Sequence, residues 1–206
     1  MLDEVPSAHL CSVNSDRTKK IQMIRLNALN PDAASGKTKE LFNAIHSKFG
    51  VVPNMMRTMG NSTAFLESYL NLSGSLSGGT LGVKTSALLA LAVAESNACN
   101  YCLSAHTYLG ANLAKLDAET MEAARNGKSK DTKIEAILTF AQTLVRKRGH
   151  VSDADVNAVR YAGVTEGEVG EIVGHVALNT LTNYFNNTAN TAIDFPVVEA
   201  RELSVV

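Results

Sequence analysis

Only three cysteines occur in the 206 residues, and 19 Lys and Arg offset 20 Asp and Glu to leave a net charge of -1. One cysteine, Cys11, stands alone in a polar leader, so a disulfide framework is excluded. The scattered, balanced charge gives no electrostatic footprint for nucleic acid or an anionic membrane. The one basic run, Arg17-Thr-Lys-Lys20, lacks aromatic interleaving and a continuing basic face, and reads as a solvated arm. No charged region followed by an apolar core and cleavage site marks a secretory signal, so a cytoplasmic protein is expected. The most apolar run, residues 81–94, is interrupted by Lys84, ends at Glu95 and is too short for a bilayer. The Gly- and Ser-rich stretch 75–82 lacks the Gly-Lys-Ser/Thr ending of a phosphate-binding loop and reads as a connector. Period-two alternation is also missing.

The chain does have apolar residues, 45% of the total, enough for a substantial core. They recur at helical spacing almost throughout, which predicts an all-α fold. Leu41, Phe42, Ile45 and Phe49 mark a helix over 37–49, stopped by Gly50-Val-Val-Pro53. A second candidate covers 64–76. Thr132-x-x-Glu135, Ser152-x-x-Asp155 and Thr165-x-x-Glu168 each resemble a capping box and place three further helix starts. A last long helix is expected over 168–187. Residues 1–20 read as a flexible leader and 21–206 as one helical domain.

The chemistry-bearing stretch is Glu95-Ser-Asn-Ala-Cys99-Asn-Tyr-Cys102-Leu-Ser-Ala-His106. On a helix this spacing sets both sulfurs and the imidazole along one face. Thiolate is the attacking species, and an ordinary thiol is mostly protonated at neutral pH. Asn97 as N-cap of a helix from Ala98 would place Cys99 in the first turn, where free backbone N–H groups favour an anion. His106 would take or share the Cys102 proton, and the imidazolium so formed would add to that preference. The pattern points to dithiol–disulfide redox. Zinc is the rival, because Cys99, Cys102 and His106 are ligand types, yet a closed site needs a fourth from His150 or His175, and neither brings a clustered pair.

This constellation resembles the AhpD-like alkylhydroperoxidase and carboxymuconolactone decarboxylase superfamily, in its peroxidase-related branch. The likeness extends to Gly50-Val-Val-Pro53-Asn54, the apolar helix 88–94, Asn183-Tyr-Phe-Asn186 and Asp194-Phe-Pro196, and covers about residues 36–198. It implies an AhpD-like helical bundle whose central buried helix leads into the Cys-x-x-Cys helix. It also implies a homo-oligomer, a trimer or hexamer. By the resemblance, Cys102 attacks an organic hydroperoxide, Cys99 resolves the sulfenic acid as a disulfide, and His106 joins the proton relay. A dithiol reductant or carrier protein recycles the pair, with no metal or flavin cofactor. Two positions depart from the family pattern. Its usual glutamate is Ala87 here, leaving Glu95 as the nearest acid in sequence to replace or modulate it. Its common glycine is Ala98, and alanine disfavours positive φ.

His175, Asn179 and Asn183 recur at four-residue steps along the last helix. Buried amides and imidazoles need partners, so the stripe belongs to a helix pair, a subunit interface or a wet cavity; His175 and Asn179 are substrate-binding candidates. Tyr101 and Tyr108 flank the motif, and the Tyr101 hydroxyl is a further candidate for substrate binding. Met55, Met56, Met59 and Phe65 read as core or adaptable pocket lining. The leading expectation is an antioxidant thiol peroxidase. The alternatives are a decarboxylase-like enzyme, which gives no reason for a redox pair, and a non-enzymatic redox sensor or scaffold, which the loss of an acid at Ala87 favours.

Overall fold

The computed structural model describes residues 23–201, which form nine α-helices and no strand. They are α1 (Gly36–Phe49), α2 (Asn54–Met59), α3 (Thr63–Ser77), α4 (Gly82–Ser96), α5 (Asn100–Asn112), α6 (Ala118–Arg125), α7 (Thr132–Arg146), α8 (Asp153–Tyr161) and α9 (Glu166–Ala189). Cys11, His9 and the basic run lie outside the described residues.

Helix α4 is the axle. Leu88, Leu89, Ala90, Leu91, Ala92, Val93 and Ala94 are all buried, so no polar stripe faces solvent there. A helix apolar on every side is covered on every side, and α5, α6, α7 and α9 pack around it. One apolar cluster joins α1, α2, α3 and α5 beside its C-terminal half through Phe42, Met59, Leu66, Leu91 and Leu103. A second joins α6 to α9 through Leu89, Leu138, Val159 and Ile172.

The capping boxes at Ser152 and Thr165 form as expected and start α8 and α9. The box at Thr132 does not. Asp131 caps α7 by accepting from Ile134 N at 3.0 Å, and Glu135 instead accepts from Ser129 N at 3.0 Å. The expected 75–82 loop is shorter, because α3 runs on to Ser77. Helix α4 has no side-chain cap of its own, and Glu171 of α9 supplies one, accepting from Thr80 N at 2.8 Å and Leu81 N at 3.1 Å. That approach requires glycine at Gly79, since a Cβ there would meet Glu171 Oε2 at 2.6 Å. Beyond α9 the chain returns across α5 as a strap. Val198 N donates to Ser104 Oγ at 2.9 Å, Ala200 N to Asn100 Oδ1 at 2.9 Å and Arg201 N to Glu95 Oε1 at 2.9 Å.

Candidate active site

The break between α4 and α5 sets the cysteines. Ala98 adopts φ 48, the left-handed conformation, and Cys99 N bonds back to Ala94 O at 3.0 Å, closing α4 in the manner of a Schellman turn. Alanine therefore takes the strained position that glycine would fill at lower cost. The expected N-cap role of Asn97 is corrected: Asn97 ends α4, and Cys99 is itself the N-cap of α5, its sulfur accepting from Cys102 N at 3.4 Å. Cys102, not Cys99, sits in the first turn, where the helix terminus favours the thiolate.

Both sulfurs are free and buried, but only Cys102 reaches a neighbouring cavity. This cavity, about 280 Å³, lies among α2, α3, α4, α5 and α9, with Met55, Met56, Tyr69, Tyr101, Leu109 and Phe195 in its wall. His106 lies on the same α5 face one turn beyond Cys102 and lines it too, as do His175, Asn179 and Ala87. No Lys, Arg, Asp or Glu contributes to the wall among the described residues.

Burial opposes ionisation of Cys102. Hydrogen bonding from Cys99, Asn186, Asn183 and Thr182 outweighs it and holds the thiol below its ordinary pKa. Asn186 Nδ2 donates to Cys102 Sγ at 3.3 Å. The Thr182 hydroxyl is engaged by Asn179 O at 2.9 Å and stands 4.0 Å from the sulfur, so the amides carry more of the stabilisation. Asn183 Nδ2 lies close enough to favour the thiolate without making a hydrogen bond of normal geometry. Cys99 is shifted the other way, first by its hydrogen bond to Cys102 and then by burial. Of the two thiols, Cys102 is therefore the first to give up its proton and Cys99 the one that keeps it.

His106 differs from the sequence expectation. Burial of its ring outweighs the hydrogen bond it donates to Asn179 and brings its pKa down to about 4, so no imidazolium stands beside Cys102 at neutral pH. Asn179 orients His106 and donates to His175 O at 2.8 Å. His175 is likewise lowered, mainly by burial, and its Nε2 lies 3.4 Å from Ser86 Oγ. Tyr101 OH accepts from Met55 N at 3.0 Å, so its hydroxyl is already engaged inside the protein. Glu95 is not brought into the cavity. It pairs with Arg125 at 2.6 Å and holds the strap through Arg201 N, because its side chain leaves α4 on the α6 side. Ala87, where the resemblance leads one to expect a glutamate, faces the cavity, and no carboxylate among the described residues lines it. Among the described residues, no three His, Cys, Asp or Glu side chains gather to hold a metal ion.

Tyr69 and Thr182 were not singled out by the sequence, and Asn186 entered only as the end of the Asn183-Tyr-Phe-Asn186 segment, without a role at the site. Tyr69 lines the cavity, and burial and the nearby Cys102 charge push its phenol up to about 12. Steps of four, three and four link His175, Asn179, Thr182 and Asn186 on one face of α9, whereas repeated steps of four drift around the helix. That 4-3-4 pattern was the available signal.

Residues 63–129, spanning α3 through α6 and both motif cysteines, match the Carboxymuconolactone decarboxylase family. The match spans 67 of the 206 residues. The fold is shared with solved structures at low identity. An uncharacterized peroxidase-related protein from Ralstonia eutropha JMP134, described as an alkylhydroperoxidase AhpD core, superposes with TM-score 0.75 at 21% identity, covering 83% of this chain and 92% of that one. An uncharacterized peroxidase-related protein from Silicibacter sp. TM1040 gives TM-score 0.70 at 21% identity, covering 81% and 91%. The debrominase Bmp8 gives TM-score 0.69 at 17% identity, covering 82% and 91%. No protein with a curated description matches the sequence.

Proposed function

We propose that the protein is a thiol peroxidase that reduces uncharged organic hydroperoxides through a Cys99–Cys102 dithiol/disulfide cycle. The observation that carries this reading is the division of labour between the sulfurs: Cys102 lines the cavity with its thiol made more acidic by its hydrogen-bond partners, and Cys99 lies outside the wall with its thiol made less acidic. Cys102 attacks the terminal oxygen of R–O–OH. The O–O bond breaks, an S–O bond forms, and the alkoxide leaves as alcohol once protonated. Cys99 then attacks the Cys102 sulfur, the S–S bond forms and water departs. A dithiol reductant returns two electrons and two protons to the pair.

Neutral His106, in the same cavity, passes a proton from one ring nitrogen to the leaving alkoxide while taking one from solvent at the other. The apolar wall favours an alkyl or aryl hydroperoxide. It disfavours the decarboxylase reading, since no cation lines the cavity to receive the carboxylates of a carboxymuconolactone. Copies of the chain assemble, in this reading, through the exposed α9 face carrying Val173, Leu181 and Tyr184.

Steady-state consumption of cumene hydroperoxide with dithiothreitol tests the proposal. Turnover by the wild type and its loss in Cys102→Ser are expected. Consumption no faster than buffer, or equal in both proteins, overturns the assignment.

A further inference from the structure

Two buried amide atoms beside Cys102 make no hydrogen bond of normal geometry among the described residues: Asn183 Nδ2, a donor that only leans on the Cys102 sulfur, and Asn186 Oδ1, an acceptor. Both side chains belong to almost fully enclosed residues, Asn183 at 0% and Asn186 at 2% exposure. Their orientation is set by their other ends. Asn97 Nδ2 donates to Asn183 Oδ1 at 2.9 Å, which turns the Asn183 NH2 away from Asn97, and Asn186 Nδ2 is spent on Cys102 Sγ at 3.3 Å. Buried polar atoms are almost always paired, so one donor and one acceptor left beside a reactive sulfur call for a complementary group.

A hydroxyl provides that complement, since its oxygen accepts one hydrogen bond and its hydrogen donates another. We infer that Asn183 and Asn186 form a seat for the S–OH group of Cys102 sulfenic acid, with Asn183 Nδ2 donating to the oxygen and Asn186 Oδ1 accepting its proton. The inference rests on the thiol-peroxidase reading and deepens it. Neither amide lines the cavity, whereas Cys102 does. The oxygen arrives from the hydroperoxide on the cavity side, with alcohol released, and rotation about the Cys102 Cβ–Sγ bond carries it towards α9. There the oxidised sulfur is held out of line with a second peroxide molecule, which would otherwise add another oxygen and give sulfinic acid. The seat thereby reserves the sulfenic acid for Cys99. Asn183 and Asn186 are positioning residues for this intermediate and take no part in bond exchange.

The test uses Cys99→Ser, which removes the resolving thiol and keeps a hydroxyl able to cap α5. Reduced protein is treated with cumene hydroperoxide, and Cys102 sulfenic acid is trapped with dimedone at timed intervals and counted against sulfinic acid by peptide mass spectrometry. Adding Asn183→Ala or Asn186→Ala is expected to shorten the lifetime of the trappable species about ten-fold, with sulfinic acid in its place. An unchanged lifetime in a variant that retains its helical circular dichroism overturns the seat. Should the Asn183 variant not fold, the Asn186 variant decides. Failure of the Cys99→Ser parent itself to give sulfenic acid overturns the peroxidase reading, and the seat with it.

Discussion

Asn186 Nδ2 donates to Cys102 Sγ at 3.3 Å across 84 residues of sequence, so the long α9 helix, rather than the cysteine helix alone, determines which sulfur carries the charge. Replacing Asn186 with Leu removes the donor and is expected to raise the pH midpoint of Cys102 alkylation by about one unit, lowering the rate at neutral pH roughly ten-fold. The thiolate fraction grows with pH, so the variant regains the wild-type rate in alkaline solution. Iodoacetamide labelling of Cys102 across pH, read by peptide mass spectrometry, checks this.

Glu95 ties α4 to Arg125 of α6 and to the C-terminal strap, with 11% of its side chain exposed. Glu95→Gln keeps the shape and loses the charge. It is expected to cost roughly 2 kcal/mol in urea unfolding while leaving the pH profile of peroxide reactivity unchanged. A displaced profile would return Glu95 to the mechanism.

At φ 48, Ala98 holds a conformation that costs a side chain about 1 kcal/mol and glycine almost nothing. Ala98→Gly is therefore expected to stabilise the protein by about 1 kcal/mol, less whatever the freer unfolded chain gives back. Chemical denaturation of the reduced protein measures it.

His106 binds its proton less readily in the folded protein, where its pKa falls from 6.5 to about 4. Between those values the unfolded chain takes up more protons, so this contribution to stability is complete above pH 6.5 and declines as pH falls towards 4. The decline amounts to on the order of 3 kcal/mol. His175, lowered in the same direction, adds to it. Urea midpoints across this window should flatten in His106→Gln; an equally steep acid slope in that variant would remove His106 as the cause.

The helices were legible because their apolar faces repeat at helical spacing, and the apolar run 88–94 announced α4 as the buried axle. The Cys-x-x-Cys-x-x-x-His spacing likewise placed Cys102 and His106 on one face of one helix. Less legible were features that depend on distant partners. Asn97 has the composition of an N-cap, but the left-handed turn at Ala98 moved the helix start to Asn100. Glu95 is near Cys99 in sequence, yet Arg125 draws it to the other side of α4. The charge state of His106 depends on how fully its surroundings exclude water, which no local spacing encodes.

A single turnover tests the central claim most directly. Reduced wild type is mixed with one equivalent of cumene hydroperoxide without reductant, following alcohol release, free thiols and the 99–102 linkage by peptide mass spectrometry. The account predicts one alcohol per chain, loss of the Cys99 and Cys102 thiols together, and a disulfide joining them that does not form in Cys102→Ser. Thiols that remain reduced while the peroxide persists would contradict it.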